Sequence, residues 1–146
     1  MIVTAVLSTG LVVVANGPIE VNNLISEVLH IDHRTWETLM FVGDEEVRST
    51  KEGPQPGHQL RVSVIPTRSL AALNYMDHDD PEMMIANSYN PARPLPEVDL
   101  IFSGDTGAVF PRSAAISVDD ARIAMTEWAN TRKRPTHCQW RAYDSY

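Results

Sequence analysis

Apolar residues alternate or cluster in short extended runs over the first fifteen positions. Val3 to Leu7 and Leu11 to Ala15 are rich in β-branched side chains, and Ser-Thr-Gly separates the two runs. Branched side chains favour extended backbone, and a break that contains glycine favours a chain reversal. This region therefore predicts either a β-hairpin or one long strand with a bulge.

Two later stretches have the 3.6-residue spacing of apolar side chains that is typical of an amphipathic helix. The first is predicted to begin at Gly17-Pro18 and to end near His30, because proline is favoured at the first helical position. The second is predicted to begin after Ser117, whose hydroxyl can cap a helix, and to stop at Pro135. Its last turn is predicted to contain Arg132, Lys133 and Arg134.

Further strands are predicted between and after these helices. Leu60, Val62 and Val64 alternate with Arg61 and Ser63, which indicates a strand with one solvent-facing side. A polar loop is expected from Asp44 to Gly57. The remaining predicted strands are Glu37 to Val42, Leu70 to Met76, Met83 to Tyr89, Val98 to Ser103, Ala108 to Phe110 and His137 to Arg141. Together these elements predict a single α+β domain over residues 1–146, a mostly antiparallel sheet with two helices packed on one face.

Charge and cysteine content narrow the possible functions. The net charge is −7 with 19 acidic and 12 basic residues, which disfavours binding to nucleic acid or to anionic membranes and favours a basic partner. The single cysteine, Cys138, excludes an internal disulfide and a cysteine-rich zinc site. The apolar N-terminal segment has no basic residue before Arg34, so we expect no signal peptide and a cytoplasmic protein. A monomer or a weak dimer is expected.

The stretch "NYMDHDDPE", residues 74–82, is the main candidate for chemistry. Its acids lack the alternate register of a calcium loop, and the other histidines show no zinc-binding spacing, so no metal is expected. Neighbouring carboxylates in a polar loop are also weak candidates for acid–base catalysis. Two interpretations stay open, a solvated turn and a surface that binds a basic protein.

The wider segment from Tyr75 to Asp105 favours the binding surface. It contains seven acids and one base, Arg93, together with prolines and aromatic side chains that are common at interfaces. Asp99 and Asp105 are outlying candidates in this segment. The central candidates for contact with a partner are Tyr75, Asp77, His78, Asp79, Asp80 and Glu82.

The stretch "LIFSGDTGAVF" invites comparison with the Asp-Thr-Gly-Ala turn of aspartic proteases. Gly104 stands where those enzymes have an apolar residue, and a second aspartate would be needed. A hairpin turn that needs glycine for its backbone conformation accounts for the same residues, and we predict that turn. A small hydrolase that uses Asp105 is the weaker alternative. Neither a phosphate-binding glycine loop nor a catalytic triad pattern is present, so we expect no enzyme and no cofactor.

Several motifs resemble a family of bacterial immunity proteins. The C-terminal "ISVDDARIAMTEWANTRKRPTHCQW" resembles the helix, basic junction, short strand and near-terminal tryptophan of that family. "AALNYMDHDD" is similar to its strand that leads into a polar loop, and "FPRSAAISVDDA" to its helix entry, with Ser117 where proline is common. "GPIEVNNLISEVL" and "HQLRVSVIP" are similar to its first helix and the strand that follows.

The family is immunity protein family 1 of bacterial polymorphic-toxin systems. Its members often accompany deaminase toxins, some of which attack cytosine in DNA. The resemblance implies a non-enzymatic protein that binds its cognate toxin and blocks the toxin's active site. The alternative is an acidic protein-binding module of another kind, such as a DNA mimic.

Overall fold

The computed structural model describes residues 1–47 and 58–143 of the chain. Most strands in these ranges form one antiparallel sheet in the order β10-β6-β5-β4-β3-β1-β2, and the short β9 pairs with β5. A separate two-stranded hairpin consists of β7 and β8. The strands are β1 Ile2–Val6, β2 Val12–Asn16, β3 Thr38–Gly43, β4 His58–Ile65, β5 Leu70–Asp77, β6 Ile85–Tyr89, β7 Ile101–Ser103, β8 Ala108–Val109, β9 Ile116–Ser117 and β10 Gln139–Ala142.

Two α-helices cover one face of the sheet, as the apolar spacing predicted. Helix α1 spans Gly17–His30 and helix α2 spans Val118–Thr131. Both contribute buried side chains to the larger hydrophobic cluster, and the fully buried Trp128 is the largest of them. An antiparallel sheet with helices on one face is an α+β fold, so the predicted fold class is confirmed. Neither helix combines the length and the apolar composition needed to cross a bilayer.

A second hydrophobic cluster covers the opposite face of the sheet. Val98, Leu100 and Phe110, from the segment 98–115, pack there against Ala72 of β5. The prediction that β4 has a solvent-facing side is wrong, because this segment covers it: Ser63 is fully buried, and the guanidinium of Arg61 lies 4.4 Å from the centroid of the Phe102 ring.

Most element predictions are confirmed, with one instructive difference at the end of α2. Of the two alternatives predicted for the first fifteen positions, the hairpin is confirmed. Ser117 caps α2, and its hydroxyl accepts a hydrogen bond from the Asp120 N–H at 3.0 Å. The basic residues at 132–134 were predicted in the last helical turn, but α2 ends at Thr131 because Arg132 takes a left-handed conformation with φ of 55°. The predicted polar loop at 44–57 lies outside the described residues from position 48 onward.

Candidate functional site

A cavity of about 690 Å³ lies at the C-terminal end of β5. Residues 77–82 are called here the acidic loop, and one wall of the cavity comes from Asp77, Asp79, Asp80 and Pro81 of this loop. A second wall comes from residues 131–136, the helix-exit segment, which begins at the last residue of α2. Between these walls the cavity is lined by His58, Tyr75, Cys138 and Trp140.

Two aspartates stabilise the acidic loop by accepting hydrogen bonds from its backbone. Asp77 Oδ1 accepts a bond from the Asp79 N–H at 2.9 Å. Asp80 Oδ1 accepts bonds from the N–H groups of Glu82 and Met83 at 3.0 and 3.1 Å. Asp is favoured in turns because its short side chain makes such bonds. The loop is therefore already ordered in the free protein.

The Asp77 carboxylate is buried and has side-chain partners from two strands. Asp77 as a whole is only 5 % exposed. The Tyr75 hydroxyl donates a hydrogen bond to Oδ2 at 2.7 Å, and His58 Nδ1 lies 3.4 Å from Oδ1. Burial, together with the neighbouring Asp77 carboxylate, raises the pKa of Tyr75 above its ordinary range. The phenol therefore remains a hydrogen-bond donor to Asp77 at neutral pH.

Asp80 joins the acidic loop to the helix-exit segment. Its Oδ2 lies 3.7 Å from Nη1 of Arg134. The hydrogen bond from the Met83 N–H lowers the pKa of Asp80, and Glu82 and Arg134 lower it further. The carboxylate is consequently ionised at neutral pH, and its charge is partly balanced from the other wall of the cavity.

The basic side of the cavity is itself bound to acids of the chain. Arg132 Nη2 lies 2.6 Å from Asp44 Oδ1, and hydrogen bonding to that guanidinium lowers the pKa of Asp44. With Arg134 paired to Asp80, two of the three adjacent basic residues have acidic partners. This arrangement does not favour phosphate binding by these residues.

The helix-exit segment is fixed by contacts to α2 and β10. The hydroxyl of Thr136 donates a hydrogen bond to Glu127 Oε1 at 2.6 Å. The indole N–H of Trp140 donates to the carbonyl of Pro135 at 2.8 Å, and its ring centroid is 5.9 Å from that of Tyr75. Pro135 and the near-terminal Trp140 therefore belong to one structural unit.

Cys138 lines the cavity but is not an activated thiol. Burial raises the pKa of this thiol to about 11, so it is protonated near neutral pH. Because the thiolate is the reactive form of cysteine, a protonated and partly buried thiol is a weak nucleophile. Cys138 packs against the larger hydrophobic cluster and behaves as a small apolar residue.

One group of side chains in the described ranges could hold a metal ion. His58, Asp77 and Asp79 each offer a ligand atom, and these atoms lie within 4.8 Å of one another. We did not anticipate this grouping, because His58 is distant in sequence. The contacts already present equally suit a hydrogen-bonded carboxylate with a histidine beside it, since Asp77 also accepts the bonds from Tyr75 and Asp79.

The eight predicted contact residues do not form one patch. His78, Asp79 and Glu82 are exposed, and Asp80 is partly exposed at the cavity. Tyr75 and Asp77 line the same cavity, but they are 0 % and 5 % exposed and so do not form an outer surface in the free protein. The remaining two acids belong to the segment on the opposite face, where Asp99 lies 3.9 Å from Arg112 and Asp105 is exposed in the β7–β8 turn.

His58 and Arg134 were missed as site residues. The hairpin of β4 and β5 places His58 opposite Asp77, so pairing these two neighbouring strands as a hairpin and extending the register to their outer ends could have found it. Arg134 has no such local signal. It stands in the basic junction of the family resemblance, which points to its position but not to Asp80 as its partner.

A comparison with protein families agrees with that resemblance. The model of the family described as immunity protein Imm1 matches residues 10–142. The chain belongs to the Imm1 family of immunity proteins. The match includes the acidic loop, the helix-exit segment and β10, so the whole cavity lies in the part shared with Imm1. A comparison with curated proteins found no significant match.

Proposed function

We propose that this Imm1 protein binds a cognate toxin inside the producing cell and blocks the toxin's active site, with the acidic loop at the centre of the contact. The observation that carries the proposal is an ordered acidic loop at the rim of a cavity, in a chain that belongs to an immunity family. The protein acts by binding in the cytoplasm, without catalysis and without a cofactor.

The order of the loop supports tight binding. Association is weakened when loops and side chains must lose conformational freedom at the interface. Here Asp77 and Asp80 already hold the loop through backbone hydrogen bonds. His78, Asp79 and Glu82 are therefore presented in a preset arrangement, and they make the direct contacts in this proposal. Tyr75 and Asp77 support the loop from inside the cavity, while Asp99 and Asp105 are peripheral.

The charge of the chain suits a toxin that acts on nucleic acid. Such a toxin must offer a basic cleft to phosphate groups, and a deaminase also needs a pocket for an unstacked base. An inhibitor with a net charge of −7 can occupy that cleft in place of the substrate. The resemblance implies a deaminase toxin of a polymorphic-toxin system, because members of the family often accompany such toxins, and we propose one that acts on cytosine in DNA as the partner.

Removal of two exposed charges from the loop tests the contact. We expect Asp79→Asn combined with Glu82→Gln to slow association with the purified toxin domain about tenfold at low salt, because electrostatic attraction accelerates encounter. The backbone N–H groups of both residues remain, so the loop keeps its hydrogen bonds. Stopped-flow fluorescence measures the association rate.

A matched variant controls for the change in net charge. Glu27→Gln combined with Asp119→Asn also removes two exposed acids, one on α1 and one at the start of α2. This variant should associate at the rate of the unmodified protein. If both double variants slow association equally, only net charge matters and the acidic loop is not the contact.

A separate assay tests the deaminase part of the proposal. The toxin domain should convert cytosine to uracil in a DNA oligonucleotide, and one equivalent of this protein should stop the reaction. Tight binding to a toxin domain that deaminates no nucleic acid would leave the immunity role intact and overturn the deaminase assignment.

A further inference from the structure

The outer edge of β2 has a distinct pattern of backbone groups. In the described ranges β2 pairs with β1 alone and lies at one end of the sheet. The Leu7 N–H donates to the carbonyl of Leu11, and the Gly17 N–H donates to that of Met1, both at 2.9 Å. In this hairpin, the residues with odd numbers therefore bond to each other across the two strands, as in the pairs Val3–Ala15 and Ala5–Val13.

The even-numbered residues of β2 consequently point their backbone groups outward. Hydrogen-bonding direction alternates along an antiparallel strand, so Val13 and Ala15 bond to β1 while Val12 and Val14 face away from the sheet. The next outward N–H, that of Asn16, donates to the Glu20 carboxylate at 3.2 Å. The outward groups of Val12 and Val14 thus form a short edge that is bounded by Asn16.

The side chains along this edge are apolar and exposed. Leu11, Val12 and Val14 are 59 %, 56 % and 41 % exposed. Residues 1–19 include no aspartate, glutamate, lysine or arginine. Natural proteins usually protect an edge strand with charge or proline, because an unprotected edge pairs with other chains. The edge at the other end of the sheet, β10, carries Arg141.

We propose that two copies of this protein associate by antiparallel pairing of their β2 strands. Two molecules of charge −7 repel each other over most of their surfaces, and the uncharged β2 edge is where that repulsion is least. A basic toxin, in contrast, would find no carboxylate along this strand. The edge therefore fits a second copy better than it fits the toxin.

The position of Asn16 selects the register of the pairing. With the two-fold axis at Val13, the Val12 of each copy lies opposite the Val14 of the other, and their outward groups can exchange hydrogen bonds. Moving the axis by one residue, to Val14, shifts the register by two and would place Val12 opposite Asn16, whose N–H is already bound to Glu20. The chosen register also brings the exposed valine side chains into contact across the strands, which stabilises antiparallel pairs.

Sedimentation of the protein alone tests the proposal. A contact limited to one strand is smaller than the roughly 1,200 Å² of a stable interface, so we expect a weak dimer. The weight-average mass should rise from 16.3 kDa toward twice that value at high micromolar concentration.

Val14→Lys should abolish the rise, because it places two cations beside the axis. Ile123→Lys, at a 49 % exposed position on α2, should leave the rise unchanged. A constant mass at every concentration, or a dimer that survives Val14→Lys, would overturn the proposal.

Amide hydrogen exchange of the unmodified protein gives a test that does not depend on a variant's folding. The Val12 and Val14 amides should exchange quickly in dilute solution and several-fold more slowly in concentrated solution. The Val13 and Ala15 amides should be protected in both, because they bond within the hairpin. Concentration-independent exchange at Val12 and Val14 would refute strand pairing. Neither experiment uses the toxin, so their outcome is independent of the proposed immunity contact.

Discussion

Two buried residues, Tyr75 and Asp77, support the exposed acids of the cavity rim. The sequence shows charge and aromaticity at these positions, and we predicted both as contact residues on that basis. Alternation along β5 places them with Ala71 and Leu73 on the side of the sheet that the helices cover. The same period-two rule, applied to the end of the strand, would have predicted their burial.

The Asp77 carboxylate should contribute more to stability than any exposed acid of the loop. Asp77→Asn replaces one acceptor oxygen by a donor, so either the Tyr75 hydroxyl bond or the Asp79 N–H bond is weakened. We expect a loss of about 1–3 kcal/mol in the free energy of unfolding, measured with urea. Asp79→Asn, at an exposed position, should change it by less than about 0.5 kcal/mol. Equal effects of the two variants would show that Asp77 is not the anchor of the loop.

A buried histidine should make stability depend on pH. His33 Nδ1 is 2.9 Å from the Ile31 carbonyl, and Nε2 is 2.7 Å from the Thr38 hydroxyl, which itself accepts the Ser8 N–H. In this network Nδ1 carries the proton and Nε2 accepts, so the ring is neutral. Burial lowers the pKa of His33 below its ordinary value.

The sign of this effect follows from proton binding. Because the folded state has the lower pKa, the unfolded chain binds a proton on His33 first as the pH falls. The contribution of neutral His33 to the free energy of unfolding is complete above about pH 6.5, and the free energy of unfolding declines below that pH. Urea unfolding between pH 7.5 and 5.5 should show this decline, and His33→Gln should make the curve flatter over that range. An unchanged slope in the variant would assign the decline to other groups.

At the level of elements, local signals were sufficient for the helices and most strands. The boundaries of α1 follow from Gly17-Pro18 and the apolar stripe, and the start of α2 follows from the Ser117 cap. The end of α2 was misplaced because a left-handed Arg132 has no signature in the sequence. Its side chain bonds to Asp44, a contact between residues far apart in the chain.

The β7–β8 hairpin offers a test of packing at the element scale. A Cβ on Gly104 would overlap the Trp36 ring and lie 2.5 Å from the Thr35 carbonyl oxygen. Backbone cannot yield easily, so Gly104→Ala should cost roughly 2–4 kcal/mol in the free energy of unfolding. Gly43→Ala is the control, since its Cβ would come no closer than 3.8 Å to a neighbouring atom. Similar melting temperatures for both variants would contradict the close packing of Gly104.

At the scale of the whole molecule, the net charge of −7 bears on the proposed encounter with a toxin. If acids steer the protein into a basic cleft, an increase from about 50 to 500 mM salt should slow association with the toxin by roughly tenfold or more. Dissociation should change much less, because short-range packing at the centre of an interface governs it. Surface plasmon resonance separates the two rates. A salt effect confined to dissociation would argue against steering.

Periodicity, turn chemistry and composition determined the α+β class, the two helices, most strands, the acidic character and the family resemblance. The helices and strands follow from local patterns of a few residues, and the acidic character follows from composition alone, so none of these properties requires knowledge of which distant residues meet. Tertiary structure alone placed Arg134 beside Asp80 and covered Arg61 and Ser63 with the segment 98–115. Those contacts join positions that are tens of residues apart, and they form only when separate elements pack together, so no local pattern specifies them.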